Sequence, residues 1–114
     1  MRPFWFAVHG IVHAARTERN MRVHLVASIL VGIFAWFLPT TRVENIVLFG
    51  WVILVIAFEL MNTAVERTVD LVTSEVRPLA KQAKDVAAGA VLVASFGAAV
   101  TALAVFGPYL LALL

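Results

Sequence analysis

Glu59, Glu66 and Asp70 are acids set into and just beyond an apolar segment, and with Asn62 and Thr63 they could hold a cation or accept a proton. Counted from Glu59, offsets of 3, 4, 7 and 11 all approximate whole helical turns, so a helix gathers the five side chains into one stripe. The run ahead of them, Ile46 to Phe58, carries no charge. An ionisable group at membrane depth costs roughly 2.5–3.5 kcal/mol on insertion scales, so a set of them calls for a partner, a metal or water.

Taken alone, Glu59 reads equally well as a structural carboxyl bonded between helices and as a proton acceptor near an interface. With Glu66 and Asp70 the stripe runs from the membrane interior to its surface, and like charges that close need a cation, so the set favours function. Mg²⁺ takes a few carboxylates plus water and phosphate oxygens, a half-open site that Glu66 and one further acid would supply. Glu18 is the natural second ligand by position, although within Arg16-Thr17-Glu18-Arg19 a solvated charge is the plainer reading.

Lys84 and Asp85 stand where a later apolar stretch begins, ahead of the small run Ala87-Ala88-Gly89-Ala90. The lysine either anchors that helix or, beside a metal-binding stripe, holds the oxygens of a transferred phosphate. There is no G-x-x-x-x-G-K-S/T loop, so a nucleotide would be held by side chains and metal. His9 and His13 are four apart but lack a third ligand, and with His24 they are expected as interface histidines rather than a metal cluster. The absence of cysteine excludes a thiolate nucleophile, a disulfide framework and cysteine metal sites.

These residues need elements to position them. The chain has 114 residues, is 62% hydrophobic and has a mean hydropathy of +0.95, too apolar for a soluble domain of this size. Val23–Leu38, Ile46–Val65 and Val86–Leu114 are the apolar stretches, and spans are expected at about 21–38, 44–68 and 84–107. Residues 1–20 mix Phe4, Trp5 and Phe6 with His9, Arg16 and Arg19, as suits a helix lying in the headgroup region. That segment lacks a small-residue cleavage signature and is not expected to be a secretory signal. The predicted fold is thus an all-α integral membrane domain over 1–114, with an N-terminal amphipathic surface helix and three transmembrane helices.

Pro39 marks the first turn, Pro78 can open the third span, and Pro108 predicts a kink or stop near its end. Ala90, Ala94, Ala98 and Ala102, with Gly97 beside them, permit close approach of another helix. Trp51 is deeper than a belt residue should be. The net charge is +2, yet the basic residues adjoin the spans and act as topology signals, so no nucleic-acid role is expected. They put the N-terminus and the 67–85 segment in the cytoplasm. Three helices hide the acidic stripe poorly, which makes a homo-oligomer plausible.

Glu59, Asn62, Thr63, Ala64, Glu66 and Asp70, followed by Ala83-Lys84-Asp85 and Ala88-Gly89-Ala90-Val91, closely resemble the prokaryotic diacylglycerol kinase family. The resemblance extends from about Phe6 to Phe106, and Ala15-Arg16-Thr17-Glu18-Arg19-Asn20 with Arg22-Val23-His24 is most similar to its undecaprenol kinase branch. It implies a homotrimeric enzyme of the bacterial inner membrane with sites shared between subunits, transferring phosphate from Mg²⁺-ATP to a lipid alcohol. Glu59 would then be the general base and, with Ala88, would meet the lipid substrate. Glu18 and Glu66 would bridge metal and nucleotide, which overturns the solvated reading of Glu18, and Asn62 would position the reacting groups. Lys84 and Asp85 would contact ATP and keep the site organised, with Asp70, Glu75, Val76 and Arg77 near the nucleotide. The N-terminal pattern departs at Phe6 and His9, and Phe6 is carried over as a nucleotide contact.

The expected function is ATP- and Mg²⁺-dependent phosphorylation of undecaprenol at the cytoplasmic face. Diacylglycerol kinase is the alternative within the class, and a small proton-coupled transporter or non-catalytic membrane partner the alternative outside it.

Overall fold

The computed structural model describes residues 2–114. They form four α-helices: α1 (Arg2–Thr17), α2 (Arg19–Phe37), α3 (Arg42–Val72) and α4 (Pro78–Ala112). The last three are long and apolar enough to cross a membrane, and α1 precedes them as the N-terminal helix of an integral membrane protein. At 1.5 Å per residue α2 is about 28 Å long, α3 about 46 Å and α4 about 52 Å, against a hydrocarbon core of about 30 Å. The first therefore just matches a bilayer. The other two run several turns past the apolar stretches that the sequence marks as spans, and those extra turns carry polar residues.

Local chemistry sets the helix starts. Thr41 Oγ1 accepts from the Glu44 backbone N–H at 3.2 Å while Glu44 Oε1 accepts from the Thr41 N–H at 2.9 Å, a reciprocal capping box. Pro78 stands in the first turn of α4, where its missing N–H costs nothing. At the other end the expected stop at Pro108 does not occur, and α4 continues to Ala112. Tyr109 donates from its hydroxyl to Glu44 Oε1 at 2.6 Å, so the residue after the proline ties the end of α4 to the start of α3.

The buried apolar residues are Ala14, Met21, Leu48, Val55, Val91, Ala94 and Phe106, few because most apolar side chains face outward, as lipid contact requires. Helices α3 and α4 pack tightly, so that a Cβ built on Gly97 would lie 2.3 Å from Trp51 Cη2. This contact accounts for the depth of Trp51: its ring packs over the glycine instead of sitting in an interfacial belt. At the same end as Tyr109, Phe34 of α2 meets Phe106 of α4 edge to face at 5.5 Å. Gly97→Ala is expected to cost about 1–3 kcal/mol by overpacking. Thermal unfolding in micelles checks it, and an unchanged midpoint would mean that α3 and α4 do not depend on this contact.

Because α3 returns antiparallel between α2 and α4, its last turns, the first turns of α4 and the α1–α2 junction meet at one end of the molecule. That end carries most of the charged side chains.

Candidate active site

Glu59 is 2% exposed, and its neighbours on the stripe, Asn62 and Thr63, are buried as well. One turn separates Glu59 from Asn62 and another separates Asn62 from Glu66, so helix periodicity alone aligns them. Asn62 Nδ2 donates to Glu66 Oε1 at 3.3 Å, while Asn62 Oδ1 is buried with no hydrogen-bond partner among the described residues. His24 Nε2 reaches across from α2 to within 3.6 Å of Glu59 Oε2. Glu59, Asn62 and His24 line a cleft of about 370 Å³ together with Asn20, Ala88 and Ser95. His24 and Ser95 also open an apolar groove of about 190 Å³ lined by Ala27, Val31, Val55, Ala98 and Ala102. A carboxylate therefore stands near the head of a groove that apolar side chains continue.

Towards the polar end a second cleft, of about 340 Å³, brings together Asp70, Glu75, Val76, Arg77, Lys84 and Asp85. Its floor is tied by charge-assisted hydrogen bonds: Lys84 Nζ to Asp70 Oδ1 at 2.6 Å between α4 and α3, and Lys81 Nζ to Asp85 Oδ2 at 2.6 Å along α4. Arg77 Nε donates to Glu75 Oε2 at 3.0 Å in the connecting turn. Lys84 is thus held in place by Asp70, with the cleft open beside it. A lysine and an arginine around such a cleft can hold phosphate oxygens.

Glu18 is the residue between α1 and α2, with extended backbone at φ −108°, ψ 116°. Its Oε1 accepts from Arg67 Nη2 at 2.9 Å. Both Glu18 and Glu66 lie within coulombic reach of Glu59, so three carboxylates from two elements share one neighbourhood. Among the described residues no three His, Asp or Glu side chains form a preformed metal cluster. Mg²⁺ keeps several waters and takes one or two carboxylates with substrate phosphates, and the carboxylates of Glu18 and Glu66, with the Asn62 oxygen beside Glu66, have the donor chemistry such an ion takes.

Phe6 is the outlier. It lies on α1, 67% exposed, and lines neither cleft. Three side chains that the sequence does not single out stand beside the predicted ones in the structure. His24 reads as one of three interface histidines, Ser95 as part of an apolar helix, and Arg67 as a topology charge. Arg67 adjoins Glu66 in the sequence, which is the one signal that marks it. His24 and Ser95 are identified only by how α2 and α4 pack around α3.

The chain is 40% identical to an undecaprenol kinase of Bacillus subtilis over 109 residues, covering 96% of this chain and 89% of that protein. It is 38% identical to a diacylglycerol kinase of Synechocystis over 112 residues, covering 97% of this chain and 64% of that protein. It is 34% identical to a diacylglycerol kinase of Escherichia coli K12 over 92 residues, covering 81% of this chain and 75% of that protein. Residues 5–106 match the family model described as prokaryotic diacylglycerol kinase, and with the acidic stripe and two clefts now located within that span, the chain belongs to this family.

Proposed function

We propose that this protein is an ATP- and Mg²⁺-dependent kinase of a lipid alcohol, and that the alcohol is undecaprenol. The observation that carries the reaction is a buried carboxylate, Glu59, in a cleft that shares His24 and Ser95 with an apolar groove, with a Lys-lined cleft further along the same helix. The undecaprenol kinase relative, matched over nearly the whole chain, supports the choice of lipid. Diacylglycerol is the second reading, favoured by the relatives that carry that name.

In this reading the lipid hydroxyl enters beside Ala88 and Asn62, its apolar chain following the groove that starts at His24. Glu59 accepts the hydroxyl proton as that oxygen attacks the γ-phosphorus; the new O–P bond forms as the bond to the bridging oxygen breaks, and ADP leaves. Asp70, Glu75, Val76, Arg77, Lys84 and Asp85 hold the nucleotide, with Phe6 the outlying member of the set. Glu18 and Glu66 would hold Mg²⁺, which when bound neutralises charge on the phosphates. Asn62 fixes the direction of Glu66 through its amide.

The proposed assembly is a homotrimer, a single kinase domain per chain. Within one protomer α2 buries only Met21, which leaves its faces to lipid or neighbouring copies. Arg16, Arg19, Arg22, Arg67, Arg77, Lys81 and Lys84 lie at the end that carries the clefts, and Arg42 at the other, so the site is proposed to face the cytoplasm from the inner membrane. Charges gathered at one end also argue against a transport path through the span. Offering undecaprenol and diacylglycerol in competition to the purified protein tests the lipid choice. Preferential label on undecaprenol is expected, and preference for diacylglycerol would transfer the same chemistry to the second reading.

A further inference from the structure

We propose that Arg67 is a positioning residue, which reaches from α3 to the α1–α2 elbow and sets the direction in which Glu18 presents its carboxylate to the site. The proposal rests on the assignment of Glu18 as a metal ligand given above.

The elbow is an unusual joint. Glu18 stands at the N-cap of α2, where an acidic side chain ordinarily accepts a backbone N–H of the first turn, yet it makes no such bond. Its carboxylate is turned to α3 instead, where Oε1 accepts from Arg67 Nη2 at 2.9 Å. The same nitrogen donates to Thr17 Oγ1 at 2.8 Å, and that hydroxyl donates onward to the His13 carbonyl at 2.8 Å. One guanidinium thus grips the last residue of α1 and the elbow residue together. From the other side Arg22 Nη1 of α2 donates to the Arg16 carbonyl at 2.9 Å, capping the end of α1. The joint is held from both directions, and among the described residues Arg67 alone donates to the carboxylate.

Arg67 follows Glu66 directly, so one turn of α3 supplies the carboxylate of one proposed ligand and the donor that orients the other. Donors that orient metal-ligating groups are worth roughly 10–100-fold in metal affinity or activity. The side chains of Arg67 and Glu18 are 43% and 29% exposed. A pair that accessible adds little to folding, so a loss of function on removing it is not a loss of fold. Lysine offers a charge without the planar fork and should reproduce the effect only in part.

The test compares wild type with Arg67→Gln, Arg67→Lys, Glu18→Gln and the Glu18→Gln/Arg67→Gln double variant, all in lipid micelles. Lipid phosphorylation is titrated with Mg²⁺, and Mn²⁺ binding is read by electron paramagnetic resonance with a non-hydrolysable ATP analogue. In Arg67→Gln the half-saturating Mg²⁺ concentration should rise about tenfold or more and the bound Mn²⁺ fraction should fall, with partial recovery in Arg67→Lys. Adding Arg67→Gln to Glu18→Gln should cost nothing further. Unaltered metal dependence in Arg67→Gln while Glu18→Gln is impaired would overturn the role of Arg67 alone. An equal loss with and without Glu18 would make Arg67 a purely structural residue. Undiminished activity and Mn²⁺ binding in Glu18→Gln would remove the assignment of Glu18, and the proposal with it.

Discussion

Glu59→Gln is expected to lower lipid phosphorylation by about 10²–10⁴-fold, the range a general base contributes, with the fold intact. The substitution keeps the size of the side chain and removes its basicity. Glu59 is 2% exposed, and His24 Nε2, the basic group that faces it, is 3.6 Å away, beyond hydrogen-bond distance. A buried carboxyl in that position costs the fold more than it returns. The amide variant should therefore be at least as stable as the wild type while nearly inactive, a pairing typical of residues kept for activity. Unfolding midpoints and turnover measured on the same preparation check both halves. Full turnover would remove Glu59 as the base, and a collapse of stability with turnover would make it a structural carboxyl.

Glu66→Ala carries the second large effect. It removes one of the two proposed carboxylate ligands and leaves Asn62 Nδ2 without its acceptor, next to an Asn62 oxygen that already has no partner. Losing a ligand should exceed the roughly 10–100-fold typical of an outer partner, so a loss beyond about 100-fold at fixed Mg²⁺ is expected. Asn62→Ala, which leaves Glu66 present but undirected, should fall within that smaller range. Turnover followed across a Mg²⁺ series separates the cases. Equal losses in the two variants would mean that Glu66 acts through Asn62 rather than on a metal.

The stripe was legible because a helix converts sequence spacing into direction without help from the rest of the molecule. Glu59, Asn62 and Glu66 needed only the 3.6-residue period and an uncharged run ahead of them. The number and class of the helices followed from apolar stretches of sufficient length. The change from mixed to apolar composition puts the α1–α2 break near residue 20, although Thr17-Glu18-Arg19 contains neither Gly nor Pro. What accompanies the break is tertiary: Arg67 from 49 residues away and Arg22 across the joint. The same holds for the far end of α4, where proline chemistry alone predicts an interruption and the helix, tied to Glu44 through Tyr109, continues. Glycine beside an alanine stripe signalled close packing, but only the fold shows that Trp51 fills the space. The division into two clefts, and the place of His24 and Ser95 between the Glu59 cleft and an apolar groove, depend on how three helices meet.

The most direct measurement is transfer of labelled γ-phosphate from ATP to lipid by the purified protein in micelles with Mg²⁺ and undecaprenol, run beside Glu66→Ala. Label in the lipid fraction with the wild type, and almost none with the variant, is the predicted result. Folded wild-type protein that labels neither undecaprenol nor diacylglycerol would contradict the account.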